Sequence, residues 1–435
     1  MNFDLMRSLL IDRALRGELF SNSNSIAAEE KTLNEVKETP FTIPNNWQWK
    51  RVADCVQFNP KVIQDDAAEV SFIPMADVEP GFVDHCSTRQ IKLWAKVKKG
   101  FSRFQEGDLL VAKITPCFQN RKSCVANNLI SGTGAGSTEF HVMRCVSDVD
   151  AKFLLYFFKS EYFIRYGVNH FNGTVGQQRV GAQDIKDCLI PVPPFDEQTR
   201  IVEKLEEAFA EIARAEKAYE ELQTLAGVLR GQILQEAIQG KLVPQLVSDG
   251  VTKQIAEAPE EVPFDIPNTW SWIRGEELAV KRKTIDPSTL TNDEIELWSI
   301  PAYDAGVAEK VSPGDIGSSK KVVQAGDVLL AKIVPHIERV WIVSESANSL
   351  MKLASTEWLV YASELFLPEF MGLLFRSPYF RTKMMESVSG MGSLKRANPR
   401  TLAKVWLPVP PIKEQERIVI KVETLLKQVN LLLTK

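Results

Sequence analysis

Residues 191–202 read PVPPFDEQTRIV and residues 408–419 read PVPPIKEQERIV, so one segment of this chain occurs twice in nearly the same form. In each copy the prolines end one element, and the charged residues that follow are typical of the first turn of a helix. Internal repetition outranks local patterns because it sets the architecture of the whole chain. The segment therefore predicts two copies of one structural unit, each followed by a helix.

The repetition extends upstream of this segment and keeps the same order. Each copy begins with a Trp-containing stretch, PFTIPNNWQW at residues 40–49 and PFDIPNTWSW at residues 263–272. An apolar run reads GDLLVAKITP at residues 107–116 and GDVLLAKIVP at residues 326–335, which predicts a buried strand between a Gly-Asp turn and a proline. Because each copy has about 150 residues, a normal size for a domain, we expect two similar mixed α/β units.

The segment after Pro194 carries apolar residues at helical spacing as far as Gly240. A helix of about 45 residues is about 67 Å long, which is more than one such domain needs. Residues 412–435 repeat its first half and residues 1–20 repeat its second half. The expected fold class is therefore α+β, with two similar mixed α/β domains separated by a pair of long antiparallel coiled-coil helices in a circular, pseudo-twofold arrangement. An ordinary solvated bundle or a homodimer is the alternative.

Length and composition exclude several classes of protein. With 435 residues, 44% hydrophobic and 25% charged, the chain is too balanced for disorder and long enough for two or three folded units. No apolar run approaches the roughly 20 residues that cross a bilayer, and the charged N-terminus is unlike a signal peptide. We expect a cytoplasmic protein without a membrane partner. The six cysteines form no C-x-x-C pair, so we expect reduced thiols.

The chain lacks the motifs of enzymes that act on DNA. A DNA methyltransferase needs a polar residue before Pro-Pro to accept a hydrogen bond from the target amino group, and Val192 and Val409 stand at that position. The glycines of residues 132–136 have no counterpart in the second copy, which favours a flexible loop over a cofactor site. No G-x-x-x-x-G-K-[ST] phosphate loop occurs. We expect no catalytic residue and no cofactor.

Nuclease and metal sites are also disfavoured. Asp108 and Asp327 have no second carboxylate with a convincing place beside them, and a Gly-Asp turn explains both. His85, Cys86 and His141 are the residue types that bind zinc, but the second copy preserves none of them. We therefore expect no metal in the shared fold.

Taken together, these features resemble the specificity subunits of type I restriction-modification systems. The resemblance rests on the duplicated P-V-P-P-x-x-E-Q-x-R-I-V and P-F-x-I-P-x-x-W-x-W segments and on the helix end AIQGKLVP at residues 237–244, and it covers essentially the whole chain. It implies two target recognition domains that each read one part of a split DNA sequence, with two coiled-coil helices as a ruler. It also implies a subunit without an active site that works with two adenine-N6 methyltransferase subunits and with ATP-dependent restriction subunits.

This family organisation divides the chain into five parts. We expect an N-terminal helix at residues 1–20, a first target recognition domain at 21–195, a central long helix at 196–243, a second target recognition domain at 244–411 and a C-terminal helix at 412–435. Two similar but non-identical readers at a fixed separation are expected to recognise a bipartite, asymmetric site in double-stranded DNA.

Candidate DNA-binding residues recur as polar positions inside apolar surroundings. Lys113 and Lys332 occupy matched strand ends and are expected to meet phosphate, while snorkelling from the strand end is the alternative. The residues after the following proline differ between copies, as base-reading residues should. The loops at residues 172–179 and 389–396 keep glycine and arginine in both copies, and a plain flexible loop is the alternative. The candidates are Lys113, Asn120, Arg121, Lys122, Thr174, Gln177, Gln178 and Arg179 in the first copy and Lys332, His336, Arg339, Lys395 and Arg396 in the second.

Four residues at the starts of the repeated helices are candidates for binding the methyltransferase subunits. They are Glu197, Gln198, Glu414 and Gln415, and helix N-terminal capping is their alternative role. The repeated tryptophans are expected to pack at the start of each domain rather than stack on bases. Two runs rich in basic residues, 89–103 and 376–404, contact DNA or form a solvated charged surface.

Two other functions stay open at this point. One is an enzyme, a methyltransferase or nuclease, with motifs that differ from the known ones. The other is a structural adaptor that joins two protein partners without reading DNA.

Overall fold

The computed structural model describes residues 2–20, 39–85, 90–174, 176–252, 259–345, 350–390 and 395–434. The chain divides into two compact units, unit 1 from Met1 to Ala218 and unit 2 from Tyr219 to Lys435. The division falls inside one long helix, so each unit contains a globular domain and a part of that helix. Each unit has a hydrophobic core of its own.

Unit 1 mixes short strands with short helices. Its helices are α1 (Phe3–Leu15), α2 (Val52–Cys55), α3 (Trp94–Val97), α4 (Ala151–Lys159), α5 (Glu161–Asn169), α6 (Ala182–Asp187) and the first part of α7 (Phe195–Ile238). Its strands are β1 (Gln48–Arg51), β2 (Val56–Phe58), β3 (Glu69–Ile73), β4 (Gln90–Leu93), β5 (Ser102–Gln105), β6 (Leu109–Ala112), β7 (Ser123–Val125), β8 (Thr133–Gly136), β9 (Phe140–Cys145), β10 (Phe171–Asn172), β11 (Arg179–Val180) and β12 (Leu189–Val192).

Two sheets form the body of the unit 1 domain. In one sheet the strand order is β4-β3-β8-β5, with β3 and β8 parallel and the other pairs antiparallel. In the other sheet the order is β2-β9-β6-β7, and all pairs are antiparallel. β1 pairs with β12, so the first and last strands of the domain lie side by side.

Unit 2 repeats this order of elements. Its helices are the rest of α7, α8 (Ile300–Ala305), α9 (Pro368–Arg376), α10 (Pro378–Glu386), α11 (Pro399–Leu402) and α12 (Ile412–Thr434). Its strands are β13 (Ser271–Arg274), β14 (Thr284–Ile285), β15 (Ile295–Trp298), β16 (Glu309–Val311), β17 (Lys320–Val323), β18 (Val328–Ala331), β19 (Val340–Ile342), β20 (Lys352–Ala354), β21 (Trp358–Tyr361), β22 (Val388–Ser389), β23 (Arg396–Ala397) and β24 (Trp406–Val409).

The two sheets of unit 2 are similar to those of unit 1, but they have five and three strands where unit 1 has four and four. One has the order β14-β17-β20-β15-β16, with β15 and β20 parallel, and the other has the order β19-β18-β21, all antiparallel. β13 pairs with β24 as β1 pairs with β12. The prediction of an α+β fold with two similar mixed domains is therefore confirmed.

β6 and β18 are the strands predicted from the repeated apolar run. All four residues of each are buried, which explains why the run is apolar on both faces. Both strands end earlier than predicted, at Ala112 and Ala331, because the next residues leave the sheet to pair with a hairpin. Ile114 pairs with Arg179 in unit 1, and Ile333 pairs with Arg396 in unit 2.

Glycine sets the point where each repeated helix ends. Gly17 has φ +75° and Gly240 has φ +69°, in the left-handed region that favours glycine. An added Cβ would collide with Pro44 beside Gly17 and with Pro267 beside Gly240. These contacts explain why the helices end at Leu15 and Ile238, before the predicted positions 20 and 243.

The repeated tryptophans pack within the domains, as predicted. Trp47 and Trp270 are buried. The rings of Trp49 and Trp272 meet Phe41 and Phe264 edge to face, with centroids 5.0 and 5.1 Å apart. This geometry is typical of stabilising aromatic packing.

Within unit 1, α1 lies beside the first part of α7. Arg7 Nη2 donates to Glu216 Oε2 at 2.5 Å. Leu10 lines a groove together with Ala208 and Ile212 of α7. Residues near the N-terminus therefore supply the partner of the first part of the long helix.

Within unit 2, α12 lies beside the later part of α7. Arg230, the repeat counterpart of Arg7, donates from Nη2 to Asn430 Oδ1 at 2.6 Å, and Tyr219 Oη donates to Leu433 O at 3.5 Å. Positions rise along α7 while they fall along α12, so the two helices are antiparallel. The end-to-end alignment of α12 with α1 and the pseudo-twofold symmetry concern both units together and stay predictions.

No helix within the described ranges is long and apolar enough to span a bilayer.

Candidate nucleic-acid interface

Cluster 1, made of Lys113, Glu139 and Arg179, forms where three strands of unit 1 begin or end. Lys113 follows β6, Glu139 precedes β9 and Arg179 opens β11. Arg179 donates from Nε and Nη2 to the two carboxylate oxygens of Glu139, at 2.9 and 2.8 Å. The three side chains are half-buried or exposed, so the cluster lies on the surface.

Backbone hydrogen bonds hold cluster 1 together. The Lys113 N–H donates to Glu139 O at 2.9 Å, and the Val180 N–H donates to Lys113 O at 3.0 Å. Ser137 Oγ accepts from the Glu139 N–H at 3.2 Å, which fixes the turn before β9. The β10–β11 hairpin is thus attached to the end of the buried strand β6.

Cluster 2, made of Lys332, Glu357 and Arg396, repeats these contacts in unit 2. Arg396 donates from Nε and Nη2 to Glu357, both at 3.1 Å. The Lys332 N–H donates to Glu357 O at 3.0 Å, and the Ala397 N–H donates to Lys332 O at 2.8 Å. Ser355 Oγ accepts from the Glu357 N–H at 3.2 Å. Both units therefore build the same cluster from the same backbone hydrogen bonds, and its side chains in unit 2 are half-buried.

The ion pairs fix the charge of each cluster. The hydrogen bond from Arg179 lowers the pKa of Glu139; burial opposes this shift, and the charges of Arg179 and Lys113 add to the lowering. Glu139 raises the pKa of Arg179, and Glu357 raises the pKa of Arg396 through its hydrogen bonds. With two cations and one carboxylate, each cluster is net positive at neutral pH and attracts phosphate.

Cluster 2 has an additional lysine beside it. Lys321 Nζ donates to Trp358 O at 2.6 Å, and burial, followed by the neighbouring charge of Lys332, lowers its pKa. The corresponding residue of unit 1 is Ser102, whose Oγ donates to Phe140 O at 3.4 Å. Both acceptors directly follow the cluster glutamate in the sequence. The repeats gave no signal for Lys321, because β5 and β17 share no motif.

The hairpin tips beside the clusters contain glycine where the backbone demands it. Gly173 has φ +112° and Gly390 has φ +98°, values that L side chains rarely adopt. Among the remaining candidates at the tips, Thr174, Gln177 and Lys395 are exposed and Gln178 is half-buried. Val175 and residues 391–394 of the predicted loops lie outside the described residues.

Two candidates of the loop after Pro116 are held inside unit 1. Arg121 donates from Nε to Lys159 O at 2.9 Å and from Nη2 to Glu161 at 2.6 Å. Lys122 Nζ donates to Met75 O at 3.0 Å. These side chains attach the loop to its surroundings, and their contact with DNA stays a prediction.

Arg339 also pairs with an acid of its own unit, and its contact with DNA stays a prediction. It is only 9% exposed, and it donates from Nε and Nη2 to the two carboxylate oxygens of Asp304 at 2.9 and 3.0 Å. Asn120 and His336, the other candidates of these loops, are exposed. Their contact with DNA stays a prediction.

Comparisons with known proteins agree with this duplicated architecture. The family model of the type I restriction modification DNA specificity domain matches residues 44–224, which contain cluster 1 and the first part of α7. The chain is also similar to the specificity subunits of the Escherichia coli type I restriction enzymes EcoAI and EcoEI, at 31% and 29% identity. Residues 44–224 thus match a type I restriction modification DNA specificity domain, and the chain is similar to specificity subunits of type I restriction enzymes.

The match to these relatives is partial in length. It covers 62% of this chain in both comparisons, and 61% of the EcoAI and 60% of the EcoEI subunit. The chain thus spans about three-fifths of the curated relatives that it matches.

Solved structures show that the likeness extends to the fold of nearly the whole chain. A chain from a structure of complex assembly and conformational transition in a type I restriction-modification system superposes with a TM-score of 0.68, at 19% identity, over 91% of this chain and 94% of its own length. The HsdS subunit of Thermoanaerobacter tengcongensis gives 0.58, at 18% identity, over 91% and 93%. The fold of these solved structures therefore extends over both units.

The side chains of Gln198 and Gln415 are buried and are not available to a partner. Gln198 is completely buried, accepts from the Asp150 N–H at 2.8 Å and donates to Asp148 O and Pro193 O, both at 3.0 Å. Its amide links the start of α7 to the domain before it. The prediction that it binds a methyltransferase subunit is therefore corrected.

Gln415 repeats this arrangement in unit 2. It is buried, accepts from the Leu367 N–H at 2.8 Å, and donates to Leu365 O at 2.7 Å and Pro410 O at 2.9 Å. The same correction applies, because all three hydrogen bonds stay within unit 2. Helix capping does not describe this role either, since the side chain reaches a separate segment of the domain.

The two glutamates before these glutamines differ from each other. Glu414 is 1% exposed and accepts from Trp270 Nε1 at 2.9 Å and Gln245 Nε2 at 2.5 Å, which corrects its predicted role as a partner contact. Burial raises its pKa. Glu197 is half-buried and accepts from Asn46 Nδ2 at 3.1 Å, so its contact with a partner stays a prediction.

Asp108, Asp327 and His141, which were weighed for nuclease or zinc chemistry, have structural roles, and Cys86 lies outside the described residues. Asp108 and Asp327 are completely buried, pair with Arg144 and Arg282 through both carboxylate oxygens, and accept a backbone N–H of their own turns. His141 Nε2 lies 3.0 Å from a backbone carbonyl oxygen. Within the part of the chain that the structure describes, no group of three or more His, Cys, Asp and Glu is arranged to hold a metal.

The two basic runs of the sequence are only partly free to meet DNA. Lys98 pairs with Asp66, and Lys92 lies over the ring of Phe72 at 3.2 Å. In the second run, Arg376 and Arg381 donate to backbone carbonyls inside unit 2. Arg89 lies outside the described residues. Clusters 1 and 2 are therefore the better candidates for DNA contact.

Proposed function

We propose that this chain is the DNA sequence-specificity subunit of a type I restriction-modification complex and has no active site of its own. Its two domains each read one part of a bipartite, asymmetric target in double-stranded DNA. The observation that carries the proposal is that one domain fold occurs twice, with different exposed polar residues beside the same strand end. These are Asn120 and Gln177, with the half-buried Gln178 beside them, in unit 1 and His336 and Lys395 in unit 2.

Two different sets of side chains on one frame suit two different half-sites. The amides of Gln177 and Gln178 are of the type that pairs with the N6 and N7 edge of adenine. Lys395 presents a cation of the type that meets guanine or phosphate. Target recognition domains at residues 21–195 and 244–411, and a cytoplasmic location, belong to the same proposal.

The helices offer a surface for two methyltransferase subunits. Leu5 and Met6 of α1 are 53% and 43% exposed, and their repeat counterparts Val228 and Leu229 of α7 are 64% and 40% exposed. Exposed apolar side chains at matched helix positions are typical of a binding face for another protein. Each unit thus presents one such face, which supports two methyltransferase subunits per chain. We also propose that the chain works with restriction subunits, and this part of the proposal rests only on the resemblance to type I specificity subunits.

In unit 1 this face continues into a groove. Met6 and Leu9 of α1 line it together with Ala208 and Ile212 of α7, and its volume is about 590 Å³. Aspartate at Leu5 and Met6 should reduce copurification of the methyltransferase subunit because it places charge in an apolar contact. Ile63→Asp, which changes an apolar residue that is 73% exposed in the globular domain, is the matched control. Equal copurification of all variants would contradict the assignment of this face.

Mapping of methylated adenines in the host genome tests the proposed function. A strain with the intact chain should contain one interrupted motif with modified adenines on opposite strands, and deletion of the chain should remove only that motif. Complementation with the full chain should restore it. Retention of all methylated motifs after deletion, or loss of an uninterrupted motif, would refute the proposal.

Incubation of the purified chain with a labelled methyl donor and DNA separates the enzyme alternative. We expect label in DNA only when the methyltransferase subunit is added. Label with the chain alone would show an active site that the sequence motifs do not reveal.

A further inference from the structure

We propose that clusters 1 and 2 bind DNA phosphate without regard to sequence, with Glu139 and Glu357 holding Arg179 and Arg396 in place, while neighbouring residues that differ between the units read the bases. This inference rests on the proposed function and divides its DNA-binding residues into two roles. Glu139 and Glu357 are positioning residues in this scheme, because they act through the arginines.

The first step is the identity of the two clusters. Each one joins a lysine after a buried strand to a glutamate before the next strand and to an arginine that opens a hairpin, with the same backbone hydrogen bonds. A group that is the same in both units cannot account for two different half-sites. Phosphate has the same chemistry at every DNA sequence, so it is the ligand that fits a duplicated site.

The second step is the geometry of the arginine. Recognition of guanine by Arg uses two parallel N–H donors on one edge of the guanidinium. In cluster 1 the Nε and Nη2 edge is bound to Glu139, and Nη1 donates to Gln177 O at 3.1 Å. Five N–H donors are present on a guanidinium, so Arg179 keeps donors for an outside oxygen while its position stays fixed. A fixed cation with few remaining donors suits a phosphate oxygen better than a base edge.

The third step is the charge. In each cluster the glutamate neutralises the arginine. The remaining positive charge is that of Lys113 in cluster 1 and of Lys332 in cluster 2. Unit 2 adds Lys321, where unit 1 has Ser102. Binding through unit 2 should therefore depend more strongly on salt than binding through unit 1.

Binding across a salt series tests the assignment. The sample is the full chain assembled with its methyltransferase subunits, and the probes are two duplexes of equal length, one with the mapped motif and one with both half-sites scrambled. Lys113→Ala and Lys332→Ala should each reduce the slope of log K against log salt by about 0.9, and weaken binding about fivefold near 0.15 M salt. The fold loss of affinity should be the same for the duplex with the motif and for the scrambled duplex. Arg179→Ala and Arg396→Ala should behave in the same way.

The ratio of affinities for the two duplexes decides between phosphate and base contact. An unchanged ratio supports the inference. A variant that lowers the ratio, or that relaxes one half of the mapped motif, reads bases and overturns it. Failure of the unmodified complex to prefer the motif would instead refute the proposed function, so the two failures are distinguishable.

Lys321→Ser provides a matched variant within the chain, because it gives unit 2 the residue that unit 1 already has. This substitution should reduce the slope of log K against log salt and leave the ratio of affinities for the two duplexes unchanged. An unaltered slope would overturn the role of Lys321 as an additional cation.

A double-mutant cycle tests the role of Glu139. Glu139→Gln keeps one acceptor oxygen and removes the charge, so it should weaken DNA binding when Arg179 is present. In the Arg179→Ala background the same change should leave affinity equal or higher, because only a negative charge near DNA is lost. Equal weakening in both backgrounds would show a purely structural role and overturn the positioning role.

Discussion

Replacement of Gln198 by alanine should lower the free energy of unfolding of unit 1 by about 3 kcal/mol. The side chain is completely buried and makes three hydrogen bonds of 2.8 to 3.0 Å to the backbone. Each buried backbone group that loses the Gln198 amide as its hydrogen-bond partner costs about 1 kcal/mol or more, because water does not reach it unless the surrounding structure rearranges. Gln415→Ala should have the same effect on unit 2, where the three hydrogen bonds recur.

Native-state hydrogen exchange of the full chain measures both effects, because it reports the stability of each region separately. Gln198→Ala should reduce protection in α4 and leave α9 unchanged, and Gln415→Ala should do the reverse. Glu197→Ala is the control: its half-buried side chain makes one hydrogen bond to Asn46, so the loss should stay below about 1 kcal/mol. A loss for Gln198→Ala no larger than that of the control would refute the reasoning.

Two further predictions concern the helix ends and the pH dependence of unit 2. Gly240→Ala and Gly17→Ala should each destabilise their unit by more than about 1 kcal/mol in thermal unfolding, because the added Cβ meets a positive φ and a nearby proline. Gly227→Ala, in the open interior of the helix, is the control and should stabilise by up to about 1 kcal/mol. Destabilisation by all three substitutions would contradict this prediction. Burial raises the pKa of Glu414 in the folded state. Below the pKa that Glu414 has in the unfolded chain, the carboxyl group is protonated in both states and its burial costs no stability. As the pH rises through the folded-state pKa, the buried carboxyl group ionises and the folded state loses stability. The stability of unit 2 should therefore fall over this pH range, and Glu414→Gln should make that stability less dependent on pH. An unchanged pH dependence in the variant would contradict the prediction.

The fold followed from the sequence to a large extent because duplicated motifs mark matched positions in both units. The buried strands, the long helix and the packing of the tryptophans were all read from such motifs. Helix ends were less accurate, since the close packing of Gly17 against Pro44 and of Gly240 against Pro267 joins segments distant in sequence.

The candidate site was predictable only in part. Lys113 and Arg179 were identified because they recur, and the structure brings them together. Their partner Glu139 also recurs, in the Ser-Thr-Glu stretch, but a repeated acid did not indicate a DNA contact. Arg121 and Arg339 were assigned to DNA because they follow the repeated proline at positions that differ between the copies, and the acceptors that hold them become visible only in the folded chain.

Methylation mapping of a strain that carries changes in one unit tests most directly whether two domains read two half-sites. Gln177→Ala and Gln178→Ala in the hairpin of unit 1 should relax the bases of one half of the interrupted motif. The other half and the number of bases between the halves should stay the same. Relaxation of both halves together, or a change of the spacing, would contradict the account.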